Sequence, residues 1–163
     1  MLAKNRVGRK TAAIGVAVIV AFGLSSCGFA DATSAPPSDT FQRALFDALN
    51  HDRASVGLPP LIWSPKLAKT AGTWAQQMSN ANVLYHQDLM ALLYSSDYAN
   101  YRRLGENILV GPGSMSANTV EAALRASAPH WANITSSAYN LVGIGYHRAP
   151  DGRLWLVQDF GGL

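Results

Sequence analysis

Two histidines and one glutamate carry the most pointed chemistry in this chain. Glu106 lies in Leu104-Gly105-Glu106-Asn107-Ile108, just ahead of the apolar run Ile108-Leu109-Val110. Such a run reads as a short buried strand, which places Glu106 at the mouth of a strand entering the core. A carboxylate there is costly unless it is paired or hydrogen-bonded. His86 lies 20 residues upstream and His130 lies 24 residues downstream, and both are candidate partners. Two neutral imidazoles and a carboxylate form a three-ligand set for zinc or another divalent metal, with a fourth position left for water. The same side chains can instead hydrogen-bond one another and tie together three distant segments. Leaving a buried polar group unpaired costs about 1–3 kcal/mol, so that bland reading has its own driving force. No His-Glu-x-x-His helix is present, so spacing does not choose between them.

Other polar residues point to structure. Asn50 and Arg53 are placed to hold a helix to adjacent loops, and His51 beside them reads as a helix-surface residue. His147 falls near a terminal hairpin and is expected in solvent. Ser127 lies three residues before His130, but no Gly-x-Ser-x-Gly elbow surrounds it. It reads as a cap or a cleft wall. Trp63, Trp74, Trp131 and Trp155 are expected in the core, with Trp131, beside His130, the weakest case.

The elements that must position these groups are readable in outline. Ser38 or Asp39 can cap a first helix. Phe41, Ala44, Leu45, Ala48 and Leu49 follow the spacing of one buried helical face. Gly57 ends that helix and Pro59-Pro60 prevents its resumption. Ser64-Pro65 starts a second helix, with Leu67, Ala68, Ala71, Trp74, Ala75 and Met78 on its buried stripe. Gly72 within it is expected to permit close packing. Leu89, Leu92 and Leu93 suggest a turn or two of helix, and residues 95–103 a tyrosine-bearing loop covering the core. After Gly111-Pro112-Gly113 a helix is expected over 117–126, with Val120, Ala123 and Leu124 inward and Asn118/Glu121 as a capping box. Pro129 breaks it. Leu141 to Tyr146 and Leu154 to Phe160 flank a turn at Pro150-Asp151-Gly152, which predicts an antiparallel hairpin. Helices first and a hairpin last give an α+β class, with helices on a small antiparallel sheet.

The N-terminus reads as a targeting segment. Lys4, Arg6, Arg9 and Lys10 precede an uncharged stretch from Thr11 to Leu24. That stretch suits a signal-peptide core and is shorter than the roughly 20 residues that span a bilayer. Leu24-Ser25-Ser26-Cys27 follows, and Cys27 is the single cysteine. The four residues resemble the bacterial lipobox, which implies a signal peptide over 1–26 and lipidation of Cys27. Ordinary cleavage after Ala30-Asp31-Ala32 is the alternative. Residues 27–38 read as a flexible tether and residues 39–163 as one domain. The formal net charge of +3 comes from the leader. Removing residues 1–26 takes away four of the thirteen basic residues and none of the ten acidic ones, leaving nine against ten, a net of −1. The basic footprint of a nucleic-acid-binding domain is missing.

Several stretches then fall in one family's order. They are Asn50-His51-Asp52-Arg53, Gly57-Leu58-Pro59-Pro60-Leu61, Leu67-Ala68 with Ala71, His86, Gly105-Glu106-Asn107-Ile108, Ser127 to Ile134, Val142-Gly143-Ile144-Gly145 and Trp155 to Gly161. Over about residues 41–162 the chain resembles the CAP superfamily (SCP domains) of cysteine-rich secretory proteins, venom antigens and plant pathogenesis-related proteins. It looks most like the cysteine-free bacterial branch. The resemblance implies an α-β-α sandwich and a surface cleft with a His-Glu-Glu-His group able to bind a divalent metal. His86, Glu106 and His130 match the first His, the Glu of Gly-Glu-Asn and the second His. The second Glu does not carry over: the matching register holds Leu124 and Ser127, and Glu121 is assigned to the helix cap. The resemblance therefore does not supply a mechanism needing two carboxylates, and catalysis is committed to no residue, with His86, Glu106 and His130 the candidate ligands or acid/base groups. The favoured function is a non-enzymatic, envelope-anchored module binding a small apolar, lipid- or sterol-like ligand or a protein partner. A metal-dependent envelope hydrolase and a structural or host-facing module are the alternatives.

Overall fold

A computed structural model describes residues 35–163. The leader 1–26, Cys27 and most of the tether lie outside the described residues. Helix α1 (Thr40–Ser55) is capped by Asp39, whose side chain accepts from the Gln42 N–H at 2.8 Å. Strand β1 is only Ile62–Trp63. Helix α2 (Pro65–Ala81) starts at Ser64, which accepts from the Leu67 N–H with Pro65 opening the helix. Helix α3 (Leu89–Leu93) and a 3₁₀ turn at Ser96–Tyr98 lead into β2 (Arg103–Pro112). Helices α4 (Ala117–Arg125) and α5 (Ala128–Ile134) precede the hairpin of β3 (Leu141–Arg148) and β4 (Arg153–Gly162).

The sheet order is β1-β3-β4-β2. β4 pairs antiparallel with both β2 and β3, and β1 adds a parallel edge to β3. That parallel edge is the exception to the antiparallel expectation, and two residues are too few to leave a periodic signal. Side chains alternate between the two faces. Val142, Ile144, Leu154, Leu156 and Phe160 pack with Leu45 and Leu49 of α1, Val120 and Leu124 of α4 and Ile134 of α5. Ile108, Trp155 and Val157 pack on the other face with Ala71, Ala75 and Met78 of α2. Helices therefore cover both faces, and the α-β-α layering is present. No helix among the described residues is long and apolar enough to cross a membrane.

Close approach of α2 to the sheet depends on strand glycines. A Cβ at Gly143 would overlap the Ala68 backbone nitrogen, and one at Gly145 the Gly72 nitrogen. Gly72 itself has open space where a Cβ would go. The glycines required for contact are in β3 and not in the helix, which corrects the expectation for Gly72.

Arg53 is buried yet satisfied: its guanidinium donates to the carbonyls of Pro59, Ile134 and Ser136 at 2.7–2.9 Å. Asn50 exchanges two hydrogen bonds with the Leu61 backbone. Both residues staple α1 to loops, as expected.

Candidate functional site

The site is built from the middle of a strand pair. Glu106 sits within β2, not at its mouth, directly opposite Asp159 of β4. Cross-strand partners share a face, and here that face is the one covered by α2. Helix α2 ends at Asn82 in the left-handed region (φ 54°), a conformation asparagine tolerates. Trp74 then fixes the following segment, donating its indole N–H to the Tyr85 carbonyl at 2.9 Å and stacking edge-on against the Tyr85 ring. His86 and Gln87 are thereby delivered to the two carboxylates, before Asp88 caps α3.

Gln87 is the hub. Its backbone N–H donates to Glu106 Oε1 at 3.1 Å. Its side-chain amide donates to Glu106 Oε2 at 2.7 Å and to Asp159 Oδ1 at 2.9 Å. His86 Nδ1 lies 2.6 Å from Glu106 Oε1. The Glu106 side chain is fully buried while that of His86 is 59% exposed, so solvent reaches the imidazole and not the carboxylate. Burial, and then the Glu106 charge, push the Asp159 carboxyl well above the usual carboxylate range, against the pull of Gln87. Two buried carboxylates joined by one amide favour a single shared negative charge.

His130 projects from α5 and is near enough to His86 that burial and the His86 ring together lower its pKa. The structure thus joins His86 to Glu106 directly and brings His130 to their neighbourhood. It does not arrange the three as a ligand set: among the described residues, no three His, Cys, Asp or Glu side chains form a group that could hold a metal ion. Both Glu106 oxygens are already taken by Gln87 and His86. Of the candidate zinc triad, His86 and Glu106 are hydrogen-bonded to each other, and His130 stands nearby with its backbone carbonyl, not its ring, in the hydrogen-bond network. Beside it, between α2 and α3, an open cleft of about 950 Å³ is walled by Thr70, Trp74, Ala91, Leu92 and Tyr98, with Gln87 at its base. Trp74 is half-buried, packing against the α2-face core on one side and walling the cleft on the other, while Trp131 packs half-buried at the edge of the main core.

A family model described as CAP, the cysteine-rich secretory protein family, matches residues 46–160. The chain belongs to the CAP family. It is 29% identical over 137 residues to the uncharacterized protein YkwD of Bacillus subtilis (strain 168), covering 79% of this chain and 51% of that one. The chain thus spans about half the length of the curated relative it matches. Among solved structures, an outer surface protein from Borrelia burgdorferi aligns with a TM-score of 0.68 at 18% identity, over 77% of this chain and 95% of that one. An extracellular protein containing a SCP domain from Bacillus anthracis str. Ames aligns with a TM-score of 0.59 at 20% identity, over 80% and 45%. At these identities the structural matches show a shared fold.

Within this CAP domain, sequence reasoning missed Gln87 and Asp159, and it misplaced Glu121. Pairing the terminal hairpin with the Glu106 strand would have brought Asp159 opposite Glu106, but β2 and β4 are far apart in sequence and their register carries no local signal. Helix α4 is capped by Ser116, which accepts from the Thr119 N–H. Glu121 is not a cap. It is 1% exposed, while Ala123, expected inward, is exposed. Its Oε2 accepts from Gln158 Nε2 at 3.0 Å, and its Oε1 has no hydrogen-bond partner. Burial and the Asp52 charge raise its pKa to about 7. It also borders a groove between α1 and α4 that includes Asp47, His51 and Arg125. Ser127 stands at the N-cap position of α5 without a side-chain capping bond.

Proposed function

We propose that this CAP domain is exported from a bacterial cell, tethered to the envelope through Cys27, and binds a small amphiphile in the cleft between α2 and α3. The observation that carries the binding reading is the position of Gln87. One side chain lines the cleft and also holds both buried carboxylates. The wall offers Trp74, Leu92 and Tyr98 to an apolar body, and Thr70 and Gln87 to a polar group. Pockets of this kind combine mostly apolar walls with a few fixed polar groups. The reading draws on the cleft wall and Gln87 and does not call on a metal.

The test is a fluorescence titration with dansylundecanoic acid and its methyl ester on the folded domain. Saturable one-to-one binding, lost when Ala91→Trp fills the cleft and kept in His130→Ala, supports the reading. Binding indifferent to Ala91→Trp would overturn it. The tether reading predicts that a radiolabelled fatty acid is incorporated into the full-length chain in bacterial cells, and not into Cys27→Ser.

A further inference from the structure

Glu121 lies on the opposite face of the sheet from the cleft, yet a chain of side chains connects it to His130. Gln158 donates to Glu121 through Nε2, and its Oε1 accepts from Asn107 Nδ2 at 3.0 Å. The same Asn107 amino group donates to the His130 carbonyl at 3.2 Å. Asn107 Oδ1 accepts from Asn133 Nδ2 at 2.9 Å, and Asn133 also donates to the Glu106 carbonyl at 3.1 Å. We propose that Glu121 sets the placement of α5 at the His130 carbonyl, and with it the His130 ring, acting through the relay Glu121–Gln158–Asn107.

The argument is one of hydrogen-bond sense. A carboxylate oxygen accepts and an amide has one donating and one accepting end. With an acceptor at Glu121, Gln158 must present its amino group there and its carbonyl to Asn107. Asn107 must then turn its amino group toward Gln158 and the His130 carbonyl. Reversing Gln158 would set carbonyl against carboxylate and amino group against amino group. Asn107 and Gln158 are both fully buried, so water does not substitute for a lost partner. Asn107 and Asn133 each tie β2 to α5, the helix that carries His130. The inference does not depend on what the cleft binds.

Two substitutions separate positioning from simple packing. Glu121→Gln keeps a carbonyl acceptor for Gln158. Glu121→Leu keeps the volume and removes the acceptor. The histidine ring signals are followed by NMR across a pH titration. His147 on β3 is the control, because His51 shares the groove with Glu121, Asp47 and Arg125, with Asp52 close by. The expected result is a shifted or doubled His130 ring resonance with a displaced titration midpoint in Glu121→Leu, a spectrum close to the parent in Glu121→Gln, and an unmoved His147 in both. Gln158→Met breaks the second link, is expected to displace His130 in the same way, and decides the matter if Glu121→Leu does not fold. A folded Glu121→Leu or Gln158→Met domain with parental His130 signals overturns the proposal, as does a Glu121→Gln domain as perturbed as Glu121→Leu.

Discussion

Two adjacent residue pairs in one strand ladder make opposite uses of burial. Glu106 and Asp159 point to the α2 face, and Asn107 and Gln158, one step along, point to the α4/α5 face. The first pair is a charge problem answered by Gln87 and His86 at the base of an open cleft. The second is an amide chain that ends on a carboxylate with one oxygen unpartnered. All four ladder residues are buried. Burial alone therefore does not separate a binding floor from an internal brace. What separates them is where the partners come from. The cleft pair is held from a connecting segment, and the brace is held by helices already in the core.

The largest effect that sharpens this contrast is expected at Gln87. Gln87→Leu strips the donor shared by two buried carboxylates and should cost about 3–5 kcal/mol, since uncompensated buried charge is the penalty. Urea denaturation checks it, and a loss under about 1 kcal/mol would mean water replaces the amide. On the other face, Gln158→Leu removes one donor and one acceptor and should cost about 2–3 kcal/mol in the same assay. The two variants together test whether the cleft side carries the heavier electrostatic load.

Glu121 gives the next effect, with a sign that depends on pH. Its folded pKa of about 7 lies above the ordinary 4.5, so the folded state holds its proton more tightly than the unfolded one. The associated stability is fully present below about pH 4.5 and is lost as pH rises through about 7. Glu121→Gln, neutral at every pH, should therefore be more stable than the parent at pH 8, by up to about 3 kcal/mol. The advantage should shrink to under about 1 kcal/mol by pH 5 and vanish below about pH 4.5. Parallel stability curves across that range would show that Glu121 titrates normally. The smallest effect belongs to His86. Its ring is mostly exposed, and His86→Ala should cost under about 1 kcal/mol, against the several predicted for its neighbour Gln87.

The helices and the hairpin were legible because local chemistry writes them: Asp39 and Ser64 cap where they should, and Gly57 ends α1 with φ at 77°. The His86–Glu106 contact was legible because a buried carboxylate needs partners. Three features were not. Strand β1 is too short for a period. Asp159 acquires its meaning only through the β2–β4 register. Glu121 looked like a capping-box residue because a carboxylate in a first turn ordinarily is one. Its true partner, Gln158, lies 37 residues away, beyond the reach of any local pattern.

The most direct measurement is an NMR titration of the isotope-labelled domain with dansylundecanoic acid, reading side-chain N–H signals on both faces. The account predicts progressive shifts at the Gln87 amide and the Trp74 indole, with the Gln158 amide and the Trp155 indole unmoved. Shifts confined to Gln158, or none at Gln87 at saturation, would contradict the assignment of the α2/α3 cleft as the binding site.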